Sequence, residues 1–268
     1  MKKLACCFLL MMGCTQQAEA PDPTPPSTAF QKKMAFEYDG TVVPASKLNR
    51  AERLGRSGAV KVFTPGSGRG SGCYVMYKGA HLVITAAHVI DDATTNWLWV
   101  VRGDQKVKAH VVYFDGKEDI AVLATPPMEM ATPSRLVIRA PYPKLGEELT
   151  YSGYPGHHDL LTIRGEVVGY EKISSDREKL VVHTYGWPGA SGSCFFDKRG
   201  RMVGVLVAIP VGRGYVPQLL ESMVFATPIK VLDVKKLNVH LCRLPEDVRP
   251  KRCKSPDGPI WRWSDFRK

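Results

Sequence analysis

The chain has 268 residues, 44% hydrophobic and 24% charged, which sets aside a disordered chain and allows one large core or two small ones. Its formal net charge of +11 favours acidic partners such as nucleic acid, anionic lipid or a wall polymer, unless it serves solubility alone. No Cys-x-x-Cys pair or His/Cys cluster has zinc-ligand spacing, so no structural metal is expected.

The N-terminal stretch "MKKLACCFLLMMGC" has two lysines, an apolar run too short to span a bilayer, and then Gly13-Cys14. This is the layout of a secretory signal peptide over 1–13. The ending "LMMGC" is similar to a bacterial lipobox, which implies cleavage before Cys14 and lipidation of its thiol. An ordinary signal peptide cut near "AEA" at 18–20 is the alternative. "TQQAEAPDPTPPSTA" at 15–29 reads as an extended spacer. Together with a short arm, it fills 14–55. Cys73, Cys194, Cys242 and Cys253 remain beyond the leader, an even number that permits disulfides in an oxidising compartment. Cys242 and Cys253 lie close enough in sequence to close a small loop.

From about residue 56 short apolar runs recur between Gly, Pro and Asp: 59–63, 73–77, 82–86, 97–101, 109–114 and 119–124. A second series follows at 135–140, 149–154, 160–170, 179–185, 202–209 and 222–227. Such runs, rich in Val, Ile and Tyr, predict strands. The expected fold is all-β: two six-stranded antiparallel barrels, about 56–130 and 131–229, within a domain over 56–242. A short C-terminal helix is expected in "PIKVLDVKKL" at 228–237. The tail over 243–268 mixes basic residues with Trp261, Trp263 and Phe266. That composition suits a nucleic acid or a membrane surface, or a tail folded back on an apolar patch.

"GWPGASGSCFF" at 186–196 is by itself a turn. Three features together change that reading. His88 follows the apolar run of "VITAAHVI". Asp119 opens "DIAVLA". Ser191 sits in "PGASG". Acyl transfer by a serine needs a base, a group orienting that base, and donors for the oxyanion. The backbone amides of Gly189 and Ser191 are the candidate donors. Each piece alone is an ordinary strand-end or turn residue; their joint order in an all-strand chain is not.

"TAAHV" 85–89, "DIAVL" 119–123 and "PGASGS" 188–193 resemble the catalytic motifs of trypsin-like serine peptidases of the chymotrypsin fold, in the branch of Deg-type proteases and glutamyl endopeptidases. "GSGCYV" 70–75 and "SGYPG" 152–156 match more loosely. The resemblance covers about 56–235. It implies a nucleophile at Ser191, general acid–base work by His88 and orientation by Asp119, with no metal or organic cofactor. Cys194 stands where the family has proline, and Ser193 where it commonly has glycine. Only 39 residues follow Ile229, too few for the PDZ domain that Deg proteases append. Family topology also brings Cys73 near Cys194, and places the specificity pocket between "HTYG" 183–186, with His183, Thr184 and Tyr185, and "VLVA" 205–208, with Val205, Leu206 and Val207. With no Asp or Glu in either stretch, cleavage is expected after small or medium apolar residues.

The expectation is a serine endopeptidase acting on protein or peptide, exported and lipid-anchored at the cell envelope, or secreted. The alternatives are a binding module with an idle triad, or a binder of nucleic acid or wall polymer through the basic tail. Nucleic acid is the less favoured partner, and no oligomeric state is assigned.

Overall fold

The computed structural model describes residues 48–65, 68–91, 97–138, 142–156, 158–212 and 218–253. The leader, Cys14, the spacer and the three aromatic residues of the tail lie outside them. Among the described residues no helix is long and apolar enough to cross a membrane.

The first barrel is built from β1 (Ala59–Phe63), β2 (Arg69–Tyr77), β3 (Ala80–Thr85), β4 (Trp97–Arg102), β5 (Gln105–Asp115) and β6 (Ile120–Ala124). Antiparallel pairing runs β1-β4-β5-β6-β3-β2, and β1 pairs with β2 to close it. A two-residue strand, β7 (Ser134–Arg135), adds to β2 in parallel.

The second barrel uses β8 (Glu148–Gly153), β9 (Leu161–Lys172), β10 (Glu178–His183), β11 (Cys194–Asp197) and β12 (Met202–Ala208). After the two-residue hairpin strands β13 (Val211–Gly212) and β14 (Gln218–Leu219), β15 (Met223–Pro228) closes it. Two closed six-stranded antiparallel barrels are therefore present, as expected.

Two elements differ from the expectation. The apolar run 135–140 is not a barrel strand. Leu136 is buried and its amide donates to Met76 O, but Val137 faces solvent. The missing strand is β11, four residues just after Ser191. The second difference is helix α1 (Arg50–Gly58), where an arm was expected. Asn49 caps it: its side chain accepts from Glu52 N while the Glu52 carboxylate accepts from Asn49 N. Gly55 lets α1 lie on β8, since a Cβ there would sit 2.9 Å from Ser152 Oγ. The C-terminal helix α2 (Val234–Leu241) is capped by Asp233, whose side chain accepts from Lys235 N and Lys236 N.

The apolar runs look continuous because the barrels use both faces of several strands. Along β2, Tyr74 points into the first barrel while Cys73 and Val75 point out. Along β12, Leu206 packs inside the second barrel while Val205 joins the outward-facing Cys73, Ile84 and Phe196. Successive side chains of a strand alternate faces, so a strand between two cores loses its polar side. Leu237 and Leu241 of α2, then Leu244 and Val248, cover the same outer cluster. The start of the tail thus folds back. Disulfides join Cys73 to Cys194 and Cys242 to Cys253.

Candidate active site

β3 ends at Thr85, and a short 3-10 turn, Ala87–Val89, carries His88. Ala86, Ala87 and Val89 are buried, so the turn sits flush on the first barrel and the His88 ring projects outward. Asp119 directly precedes β6. Its φ is 55°, a left-handed backbone that aspartate tolerates better than most residues. Asp119 engages His88 twice. Oδ1 accepts from the His88 backbone N at 2.9 Å, and Oδ2 lies 2.8 Å from Nδ1. A proton on Nδ1 donated to this carboxylate leaves Nε2 as a free base.

The second barrel holds Asp119 in place. Lys179, buried on β10, donates to Glu118 O and to Thr227 Oγ1, both at 2.7 Å, and its Nζ lies 3.4 Å from the Glu118 carboxylate. Thr227 Oγ1 in turn donates to Glu118 O at 2.6 Å. Burial pushes the Lys179 ammonium below the usual lysine range, and the Glu118 carboxylate opposes that shift. The residue before Asp119 is thereby pinned from two sides.

Ser191 lies in the loop between β10 and β11. Peptide planarity sets what its neighbours present, since a trans peptide points its C=O and N–H in opposite directions. Pro188 O accepts from Gly156 N at 2.6 Å, so the Gly189 N–H of the same peptide points the other way. Ala190 O accepts from Ser193 N at 3.0 Å, so the Ser191 N–H is likewise turned outward. Gly189 has φ 97°, and Ser71 Oγ fixes its carbonyl with a 2.8 Å hydrogen bond. These two amides are free to face one point, the requirement for an oxyanion site.

The loop sits directly on the His88 turn. A Cβ on Gly192 would meet Ser71 O at 2.0 Å, Thr85 Oγ1 at 2.3 Å and Ala86 N at 3.1 Å. A Cβ on Gly70 would fall 2.6 Å from Val89 Cγ2 and 2.9 Å from Ser191 O. Ser71 N donates to Ser191 O at 2.8 Å, and the Cys73–Cys194 bridge ties the same two segments. The structure thus gathers His88, Asp119, Gly189 and Ser191 into one site. No hydrogen bond joins the Ser191 hydroxyl to the His88 ring among the described residues. Such bonds are often long in unliganded sites and tighten with substrate.

The six residues expected around the specificity pocket are dispersed. His183, Thr184 and Tyr185 border a cleft of about 740 Å³ with Glu148, Arg164 and Glu221, and Ser191 does not line it. Thr184 Oγ1 is spent on Arg164 O. Val205 packs between the barrels, and Val207 packs with Ala86, Ala87 and Val89 under His88. Leu206 faces the second-barrel core beside Ala190. The apolar contact next to the loop comes instead from Gly186, Val224 and Ile209. A Cβ on Gly186 would meet Val224 Cγ1 at 2.4 Å and Ile209 Cγ1 at 3.2 Å. The hairpin alignment reached Gly186 but not Val224 or Ile209. Ser71, present only within the loosely matching "GSGCYV", and Lys179 hold the site by hydrogen bonds between segments far apart in sequence.

A family model described as the trypsin-like peptidase domain matches residues 70–205, just over half of the chain. Two curated relatives, serine protease Rv3671c and serine protease MT3772 of two Mycobacterium tuberculosis strains, are each 28% identical over 134 residues. Those matches cover 46% of this chain and 32% of each relative, so the chain spans about a third of their length. Among solved structures, the active form of the M. tuberculosis Rv3671c protease superposes with a TM-score of 0.56 at 22% identity, covering 69% of this chain and 82% of that one. An HtrA-type protease, AlgW with a tripeptide, gives 0.57 at 20% identity over 68% of this chain and 60% of that one. At such identities the structures speak to the fold, and they agree with the two barrels. With the matched segment running from the Gly-Ser-Gly entry of β2 through His88, Asp119 and Ser191 to β12, the chain belongs to the trypsin-like peptidase family.

Proposed function

We propose that this chain is a serine endopeptidase that cleaves peptide bonds through an acyl-enzyme at Ser191. The observation that carries this is the double engagement of His88 by Asp119, beside a serine loop whose two amides face outward. His88 Nε2 takes the Ser191 proton as the hydroxyl attacks the scissile carbonyl. The amides of Gly189 and Ser191 hold the oxyanion. His88 then protonates the leaving amine, and water reverses the sequence. Asp119 holds the tautomer and stabilises the imidazolium.

The substrate side chain before the scissile bond is taken up beside Gly186 and the half-buried Ile209, with the fully buried Val224 behind them. That wall is apolar and shallow, which favours small or medium apolar residues and rejects charge. The leader and Cys14 support export and lipid anchoring at the cell envelope, with the proline-rich stretch as spacer.

The test is hydrolysis of a peptide library. Cleavage after Ala, Val or Leu, abolished by Ser191→Ala or His88→Ala, supports the reading. Asp119→Asn should slow it by about 10⁴ through the wrong tautomer. Hydrolysis by Ser191→Ala at the wild-type rate would refute it. Membrane partitioning of wild type but not of Cys14→Ser tests the anchor. A mature N-terminus at residue 21 would refute it.

A further inference from the structure

Gly189 also borders a cavity of about 190 Å³, which Gly186 does not line. Lys61, Phe63, Arg69, Tyr154 and His158 line it, and no carboxylate does. We propose that this cavity takes an acidic side chain of the substrate, one or two residues after the scissile bond. The inference rests on the peptidase reading above.

Position comes first. The side chain before the scissile bond is directed to Gly186, and the carbonyl oxygen to the two amides. The leaving peptide is assigned to the remaining border of Gly189, which lines this cavity. Gly70 borders the cavity there. Its lack of a side chain lets β2 pack against Val89 and Ser191 O at the edge of the cavity.

Charge comes second. Lys61 Nζ stands 4.8 Å from the Tyr154 ring centroid. Arg102 Nη1 donates to the Tyr154 hydroxyl at 2.8 Å and to Ala59 O at 3.1 Å. The tyrosine is thus held between two cations, and Arg69 adds a third to the same rim. The net charge of +11, unexplained by catalysis, has a local use here.

Rigidity comes third. Tyr154 N donates to Ser71 Oγ at 2.9 Å, and Ser71 Oγ donates to Gly189 O. Gly156 N donates to Pro188 O. One wall of the cavity is bonded to the loop that carries the oxyanion amides. A carboxylate held here is therefore held in register with the reacting carbonyl.

The experiment uses peptides amidated at the C-terminus, which removes the terminal carboxylate as a second source. The residues before the scissile bond stay fixed, and Glu, Gln or Lys is placed at the first or second position after it. Each kcat/KM is divided by that for a coumarin amide with no residue after the bond. Wild type should prefer Glu over Gln by about three- to tenfold, the range for two solvent-accessible ion pairs. High salt should erase the preference. The double variant Lys61→Glu/Arg69→Glu should prefer Lys instead. Equal rates on Glu and Gln peptides, or a Glu preference that survives the charge reversal, overturn the proposal while coumarin amide turnover keeps the peptidase reading intact. No turnover of any substrate overturns both.

Discussion

Lys179→Met separates support of the site from the chemistry itself. The substitution keeps the apolar stem and removes the ammonium. Three interactions vanish: those to Glu118 O, to Thr227 Oγ1 and to the Glu118 carboxylate. The Lys179 side chain is 8% exposed and that of Glu118 16%. Breaking a buried pair by removing one partner costs about 3–5 kcal/mol. Glu118 reaches some water, and the unfavourable burial of the ammonium is relieved, so the low end, about 3 kcal/mol, applies. For a domain of this size that lowers Tm by about 6–12 °C. Glu118 O keeps its bond from Thr227 Oγ1, so the fold survives. Asp119, left with weaker support at φ 55°, drifts from His88. A shift of about 1 Å in such a group costs about 10²-fold in rate. Calorimetry gives the first number, and acylation by a fluorophosphonate well below Tm gives the second. Unchanged Tm with wild-type acylation would refute the reasoning. A lower Tm with wild-type acylation would show that Lys179 staples the barrels without positioning Asp119.

Gly192→Ala should abolish acylation, because Gly192 has φ 91° and its Cβ would lie 2.0 Å from Ser71 O; a folded, fully labelled variant would contradict this close packing. Burial holds His81, His110 and His240 below the usual histidine range. The unfolded chain then binds more protons, so stability is complete above about pH 6.5 and falls as pH drops toward the lowered values; urea midpoints that stay flat from about pH 7.5 to about pH 5 would contradict it. Replacing Cys242 and Cys253 by Ser opens a loop with sequence separation 11 and should cost about 3 kcal/mol by chain entropy, read as a shift in the denaturant midpoint; no shift would show that the tail is held by Leu244 and Val248 alone.

The candidate site was legible in the sequence because His88, Asp119 and Ser191 each sit at a strand end or loop, where chain direction changes and residue types are constrained by the turn. Ala86 and Ala87 had to be small to bury the His88 turn, and Gly189 and Gly192 had to take positive φ. Barrel strands were legible as apolar runs, but those runs do not say which face is which. That is why the apolar run 135–140 reads as a strand, while β11, four residues attached to the Ser191 motif, does not. Helix α1 did carry a signal, the Asn49-x-x-Glu52 capping box, masked by a segment otherwise poor in helical period. Of the expected pocket walls, Val205 and Val207 pack into other cores, since one residue of register reverses a side chain's direction. Lys179 left no local trace at all. Its partners, Glu118 and Thr227, are 61 and 48 residues away, and only the closed barrels bring them together.

The central claim is that Ser191 is the nucleophile of an assembled site. Peptide mapping by mass spectrometry after treatment of the folded protein with a fluorophosphonate tests it most directly. The account predicts one adduct, on the Ser191 hydroxyl, absent in Ser191→Ala and formed far more slowly in Asp119→Asn. An adduct on another residue, or none on protein shown to be folded, would contradict it.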